Sequence, residues 1–145
     1  MRHKLRALWH LLRSGDAWTA GRAWLGLLWV DLALRSRPFP QLQAWARHPS
    51  KPGGKQDLRR GWRLAELVST AARHHLYPMT CLRRSLVLQR MLREEGFAAE
   101  LCIGVRKDEG NLQAHAWVEV DGQPVGEREQ VTEEYQAMVL QGRTG

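Results

Sequence analysis

Residues 77–97 read YPMTCLRRSLVLQRMLREEGF, and this stretch decides the fold because it marks one helix at both ends. Pro78 disfavours helical backbone in the residue before it, and Thr80 is a good N-cap. Leucine, arginine, glutamine and methionine then run to Gly96, a C-terminal stop. Cys81 therefore falls in the first turn of the helix. There the unpaired backbone N–H groups and the positive end of the helix dipole favour an anionic thiolate, and Arg83 and Arg84 bring further positive charge. The same amides can donate to an oxyanion. An isolated cysteine in a helix is ordinarily a small buried residue. The helix start, the arginines and a histidine downstream favour a nucleophile instead.

That histidine is His115, in the strand-like run QAHAWVEV at residues 113–120. Alternation puts His115, Trp117 and Glu119 on one face and Ala114, Ala116, Val118 and Val120 on the other, which reads as the core face. AELCIGV at residues 99–105 forms a second strand, with Leu101, Ile103 and Val105 together and the KDEGN stretch, residues 107–111, as a loop. The two strands are expected to pair antiparallel. A helix packed on that sheet brings its first residue toward His115, which makes a thiol and its base.

Such a base is held in one tautomer by a third group, and Asp121, Glu127 and Glu129 compete for that role. Asp121 lies six residues along the strand, about 20 Å away at about 3.3 Å per residue. Asp121-Gly122 is moreover a hairpin-turn signal. A strict two-residue turn pairs Val118 with Val125 and sets Glu127 opposite Ala116, on the wrong face. A bulged three-residue turn pairs Trp117 with Glu127 and His115 with Glu129, turning both acids toward the histidine. Spacing leaves Glu127 and Glu129 both open.

The stretch from Tyr77 to Glu127, with CLRRSLVLQRMLREEGF, LCIGVRK and HAWVEVDGQPVGE in order, closely resembles the transglutaminase-like cysteine peptidase of lasso-peptide biosynthesis. The form it resembles is the stand-alone, split B protein. Carried over residue by residue, the resemblance implies Cys81 as nucleophile, His115 as base and Glu127 as the acid, where the family often has aspartate. It implies an α+β fold of papain-like, transglutaminase-like type, a nucleophile helix packed on a small antiparallel sheet behind a helical N-terminal half. It also implies a precursor (leader) peptide as substrate, a separate leader-recognition protein as partner and the lasso cyclase as a further candidate partner. No cofactor is implied.

Composition bounds the rest. A chain of 145 residues is expected to form a single domain. Residues 1–47 read as a helical, Trp-rich lead-in, 48–57 (HPSKPGGKQD) as a linker-like loop, and 58–145 as the cysteine-protease-like core. Within the core, residues 58–76 read as a helix, and another is expected from about Val131. His74 and His75, near the end of the first, suit its dipole. Two cysteines with no CxxC or Cys/His cluster argue against a zinc site or a disulfide framework, so no metal is expected. Cys102, between Leu101 and Ile103, reads as a buried strand residue.

The opening MRHKLRALWHLLRSGD lacks the apolar core and cleavage site of a signal peptide, so the chain is expected to stay in the cytoplasm. AWLGLLWVDLAL, residues 23–34, is too short for a membrane span and contains Asp31. Five of the seven tryptophans, Trp9, Trp18, Trp24, Trp29 and Trp45, lie in the lead-in, either filling one core or forming a partner surface. The net charge of +7 comes without a nucleic-acid-binding motif, so no nucleic acid is expected as partner. The resemblance assigns that charge to holding the leader peptide and its recognition protein.

The expected activity is that of a cysteine peptidase that removes the leader from a ribosomally made lasso precursor through a thioester acyl-enzyme. Two alternatives stand beside it: transglutaminase-type acyl transfer to an amine, and a non-catalytic peptide-binding module.

Overall fold

The computed structural model describes residues 6, 9, 15–48, 53, 57–127 and 130–137. Helices α1 (Asp16–Ser36), α2 (Phe39–Ala46), α3 (Leu58–Arg73) and α4 (Cys81–Glu94) lead into strands β1 (Ala99–Asp108), β2 (Asn111–Val120) and β3 (Gln123–Val125). A four-residue helix α5 (Val131–Glu134) and strand β4 (Gln136–Ala137) follow. The strands form one antiparallel sheet in the order β3-β2-β1-β4.

The local signals act as the sequence indicates. Thr80 caps α4, its side chain accepting from the Arg83 amide, and Asp57 caps α3, accepting from the Arg59 amide at 3.0 Å. Helix α4 closes at Gly96 (φ +92°), where the Phe97 amide turns back to the Leu92 carbonyl at 3.0 Å. Helix α1 ends at Ser36, two residues before Pro38.

One aliphatic cluster runs from Ala23 to Val125. It joins Leu27 and Val30 of α1, Leu64 and Val68 of α3, Leu86 and Leu92 of α4, and the inner sheet face at Leu101, Ala116, Val118 and Val120. The lead-in helix thus shares its core with the sheet. A smaller cluster lies on the opposite sheet face, where Cys102, Trp117 and Val131 are buried and Tyr135 packs against them.

Several expectations change on folding. The KDEGN loop shrinks to the two-residue turn Glu109-Gly110, with positive φ at both residues, and Asp108 pairs with Asn111. Helix α3 stops at Arg73, short of residue 76, with His74 as its cap. The helix expected from Val131 lasts four residues, because Tyr135 turns extended and Gln136 and Ala137 pair with β1. That return covers the second sheet face and buries Trp117, while Ala114 on the expected core face is exposed near the turn end of the hairpin.

Nor do the lead-in tryptophans form one core. Trp24 stacks on His75 and Trp45 packs at the core edge, whereas Trp9, Trp18 and Trp29 are exposed. Of the 48–57 stretch only His48, Gly53 and Asp57 are described, and the Gly53 amide donates to the Gly96 carbonyl at 3.0 Å. Among the described residues no helix is long and apolar enough to cross a membrane.

Candidate active site

Cys81 is the first residue of α4 and is half-buried at the edge of the main cluster. One turn further on, Ser85 is buried and its hydroxyl donates to the Ala116 carbonyl at 3.1 Å. This bond pins the start of the helix to β2 at the residue after His115. His115 itself sits opposite Gly104 of β1. A Cβ at Gly104 would lie 2.7 Å from the Tyr135 Cβ and 2.9 Å from the Trp117 ring, so glycine lets both aromatics close over the strand. Their rings flank the imidazole, with centroids 5.3 Å away for Tyr135 and 6.0 Å for Trp117.

His115 Nε2 lies 2.9 Å from Glu127 Oε1. The neutral imidazole can donate Nε2–H to the carboxylate, which leaves Nδ1 as the nitrogen for proton exchange. Glu127 arrives by a route that strand spacing does not contain. The Asp121-Gly122 turn is the strict two-residue type, with φ +52° and +79°, and it pairs Val118 with Val125. In a continuing strand Glu127 would then face away. The strand stops at Val125, and Gly126 (φ +76°) turns the chain so that Glu127 meets the imidazole. Glu129 lies outside the described residues, and Asp121 is an exposed turn residue.

Cys81 and Glu127 line one small cavity of about 60 Å³, together with Arg84, Ser85, Ser69 and Gly126. The structure therefore brings Cys81 and Glu127 to one cleft and His115 to Glu127. Cys102 is buried in the second cluster.

The two arginines after the cysteine have separate roles. Arg83 Nε donates to Asp31 Oδ1 at 2.7 Å, so its charge is neutralised by a carboxylate of α1. The other Asp31 oxygen accepts from the Tyr77 hydroxyl at 2.7 Å and pairs with Arg35 at 3.1 Å. Arg84 differs: its Nε is buried without a hydrogen-bond partner, and it has no ion pair among the described residues.

Asp31 is 2 % exposed. The Tyr77 hydroxyl, with help from Arg35 and Arg83, holds its carboxyl below the usual range against the opposing effect of burial. Such a carboxylate contributes stability above its ordinary titration range, and loses it as pH falls through the lowered value. Asp31→Asn is therefore expected to cost about 2–4 kcal/mol at neutral pH, because the negative charge is lost and one of the two oxygens that accept from Arg83 and Tyr77 is replaced by an NH2 donor. Urea unfolding from pH 7 to pH 3 should show the gap between wild type and variant closing below about pH 4. A gap that stays constant over that range would remove the ionised Asp31 from this role.

The spacing that singles out Arg83 and Arg84 does not point to Asp31, Tyr77 or Gly126. For Asp31 a signal existed, since an acid within an apolar helix needs a buried partner. Among the described residues no group of three or more potential metal ligands occurs.

Comparison with known proteins matches residues 24–140 to the family described as the transglutaminase-like superfamily. No curated protein and no solved structure matches the chain at a significant level.

Proposed function

The chain belongs to the transglutaminase-like superfamily, whose chemistry is of cysteine-protease and acyl-transfer type, and from that premise we propose a peptidase that removes the leader from a lasso precursor. Cys81, His115 and Glu127 are its nucleophile, base and orienting acid. The observation that carries this reading is the 2.9 Å contact of His115 Nε2 with Glu127, an acid that shares its cavity with Cys81.

The Cys81 thiolate attacks the scissile carbonyl carbon, and the carbonyl oxygen takes the negative charge. The Cys81 backbone N–H, at the open end of α4, donates to that oxygen. His115 protonates the leaving amine, the C–N bond breaks and a thioester remains. His115 then takes a proton from water as the water attacks the thioester, releasing the leader carboxylate and restoring the thiolate. Glu127 holds the imidazolium during both steps.

The finer assignment, to a lasso precursor, is supported by the resemblance of residues 77–127. A leader-recognition protein is the proposed partner, and the exposed stripe Trp18, Leu25, Trp29 and Leu32 along α1 suits its docking. A docked partner raises the effective concentration of the scissile bond, with an expected gain of about a hundredfold or more.

Mass spectrometry after incubation with the cognate precursor, with and without the recognition protein, tests the proposal. The expected products are a leader ending in a free carboxylate and a core with a free amine, formed much faster with the partner. A leader joined to an added amine would instead assign acyl transfer, and intact precursor bound to folded protein would leave a peptide-binding module.

A further inference from the structure

A second and larger cavity, about 520 Å³, opens along the outer side of α3. Ala65, Ser69 and Gly126 line both this cavity and the one holding Cys81, so the two meet at Gly126. From Trp62 to Arg73 the lining follows the helix for about 16 Å at about 1.5 Å per residue. An extended chain rising about 3.3 Å per residue would place about five residues there.

The charges in this groove are unequal. Arg63 is bound to Asp16 and to Glu66, which occupies the one carboxylate in the lining. Arg73 donates only to the Thr70 hydroxyl, at 3.2 Å, and has no carboxylate partner among the described residues. Trp62 is 41 % exposed. Where the two cavities meet, Arg84 of the Cys81 cavity adds a guanidinium whose buried Nε has no hydrogen-bond partner among the described residues. The lining thus offers an aromatic surface and an unneutralised cation, with its own acid already engaged.

We propose that this groove holds the substrate polypeptide and selects an acidic side chain at Arg73 and an apolar one at Trp62. The continuity at Gly126 identifies the occupant, since a chain whose carbonyl reaches Cys81 can continue over Gly126 onto α3. The proposal rests on the peptidase reading for its substrate and adds to it a specificity site on a helix that carries none of the proposed catalytic residues.

The test uses the full chain with Cys81→Ala, immobilised, and a positional-scanning library of capped dodecapeptides, with the bound fraction sequenced by mass spectrometry. Aspartate or glutamate should be enriched about fivefold at one position, the size expected for one partly screened ion pair, with a large apolar residue enriched within five positions of it. Arg73→Glu should abolish the acidic preference or turn it to lysine and arginine, Arg73→Gln should abolish it, and Trp62→Ala should remove the apolar preference alone. The absence of acidic enrichment, or its survival in both folded Arg73 variants, would overturn the proposal. Iodoacetamide labelling of wild-type Cys81 separates the two readings: an inert thiol with intact peptide selection removes the peptidase and keeps the groove. A reactive thiol without selection does the reverse.

Discussion

Cys81→Ala is expected to lower precursor cleavage by about four orders of magnitude or more, while the unfolding midpoint moves little. The thiol contributes one half-buried sulfur to packing but, in the proposed mechanism, the whole of the covalent step. His115→Ala should be comparably damaging, since in the proposed mechanism both the leaving amine and the incoming water exchange protons with that ring. Glu127→Ala should cost less, because the Tyr135 and Trp117 rings still hold the imidazole in place. Cys102→Ala supplies the control: its sulfur is buried with Trp117 and Val131, so activity should persist with only a packing loss of about 1 kcal/mol. Single-turnover cleavage with circular dichroism on each variant measures both effects. Near-normal cleavage by folded Cys81→Ala protein would end the nucleophile assignment, and inactivity of folded Cys102→Ala protein would reveal a second functional thiol.

The second large effect is expected at a residue without a side chain. Gly126→Ala should reduce kcat/KM about a hundredfold, the scale reached when a catalytic group moves by about 1 Å. Two causes combine. The backbone there has φ +76°, which alanine adopts only with strain, and an added Cβ would stand 2.7 Å from the Ala65 Cβ on α3. Neither atom is the end of a flexible chain, so the backbone must give, and Glu127 is the next residue along it. Ala65→Gly removes the opposing methyl at a helix cost of about 1 kcal/mol. The double variant Gly126→Ala/Ala65→Gly is therefore expected to recover part of the activity. Kinetics on the three variants decide the matter: unchanged activity in Gly126→Ala would show that Glu127 does not depend on this turn.

Much of this architecture was legible because its signals are short-range. Pro78, Thr80 and Gly96 act within a few residues of the helix they bound, so Cys81 could be placed at a helix start from sequence alone. The alternation around His115 reports burial on the inner sheet face, and the pairing of β1 with β2 follows from it. The same logic failed at Trp117. Its outer face is covered by Val131 and Tyr135, whose return to the sheet has no periodic pattern in so short a segment.

What the sequence by itself determined was therefore the local frame: a helix beginning at Cys81, a hairpin carrying His115 and a tight turn at Asp121-Gly122. Tertiary structure decided which charged groups operate within that frame. Glu127 reaches His115 because β3 ends at Val125 and the chain turns at Gly126, where α3 comes so close at Ala65 that only a glycine fits. Arg83 and Arg84 are neighbours of one type, yet Asp31, 52 residues before Arg83, binds the first and leaves the second facing the cleft. Capping, turn geometry and alternation are set by neighbouring residues and can be read along the chain. Neutralisation of a charge and the end point of a strand depend on side chains that approach through space, and those meet only once the core has closed.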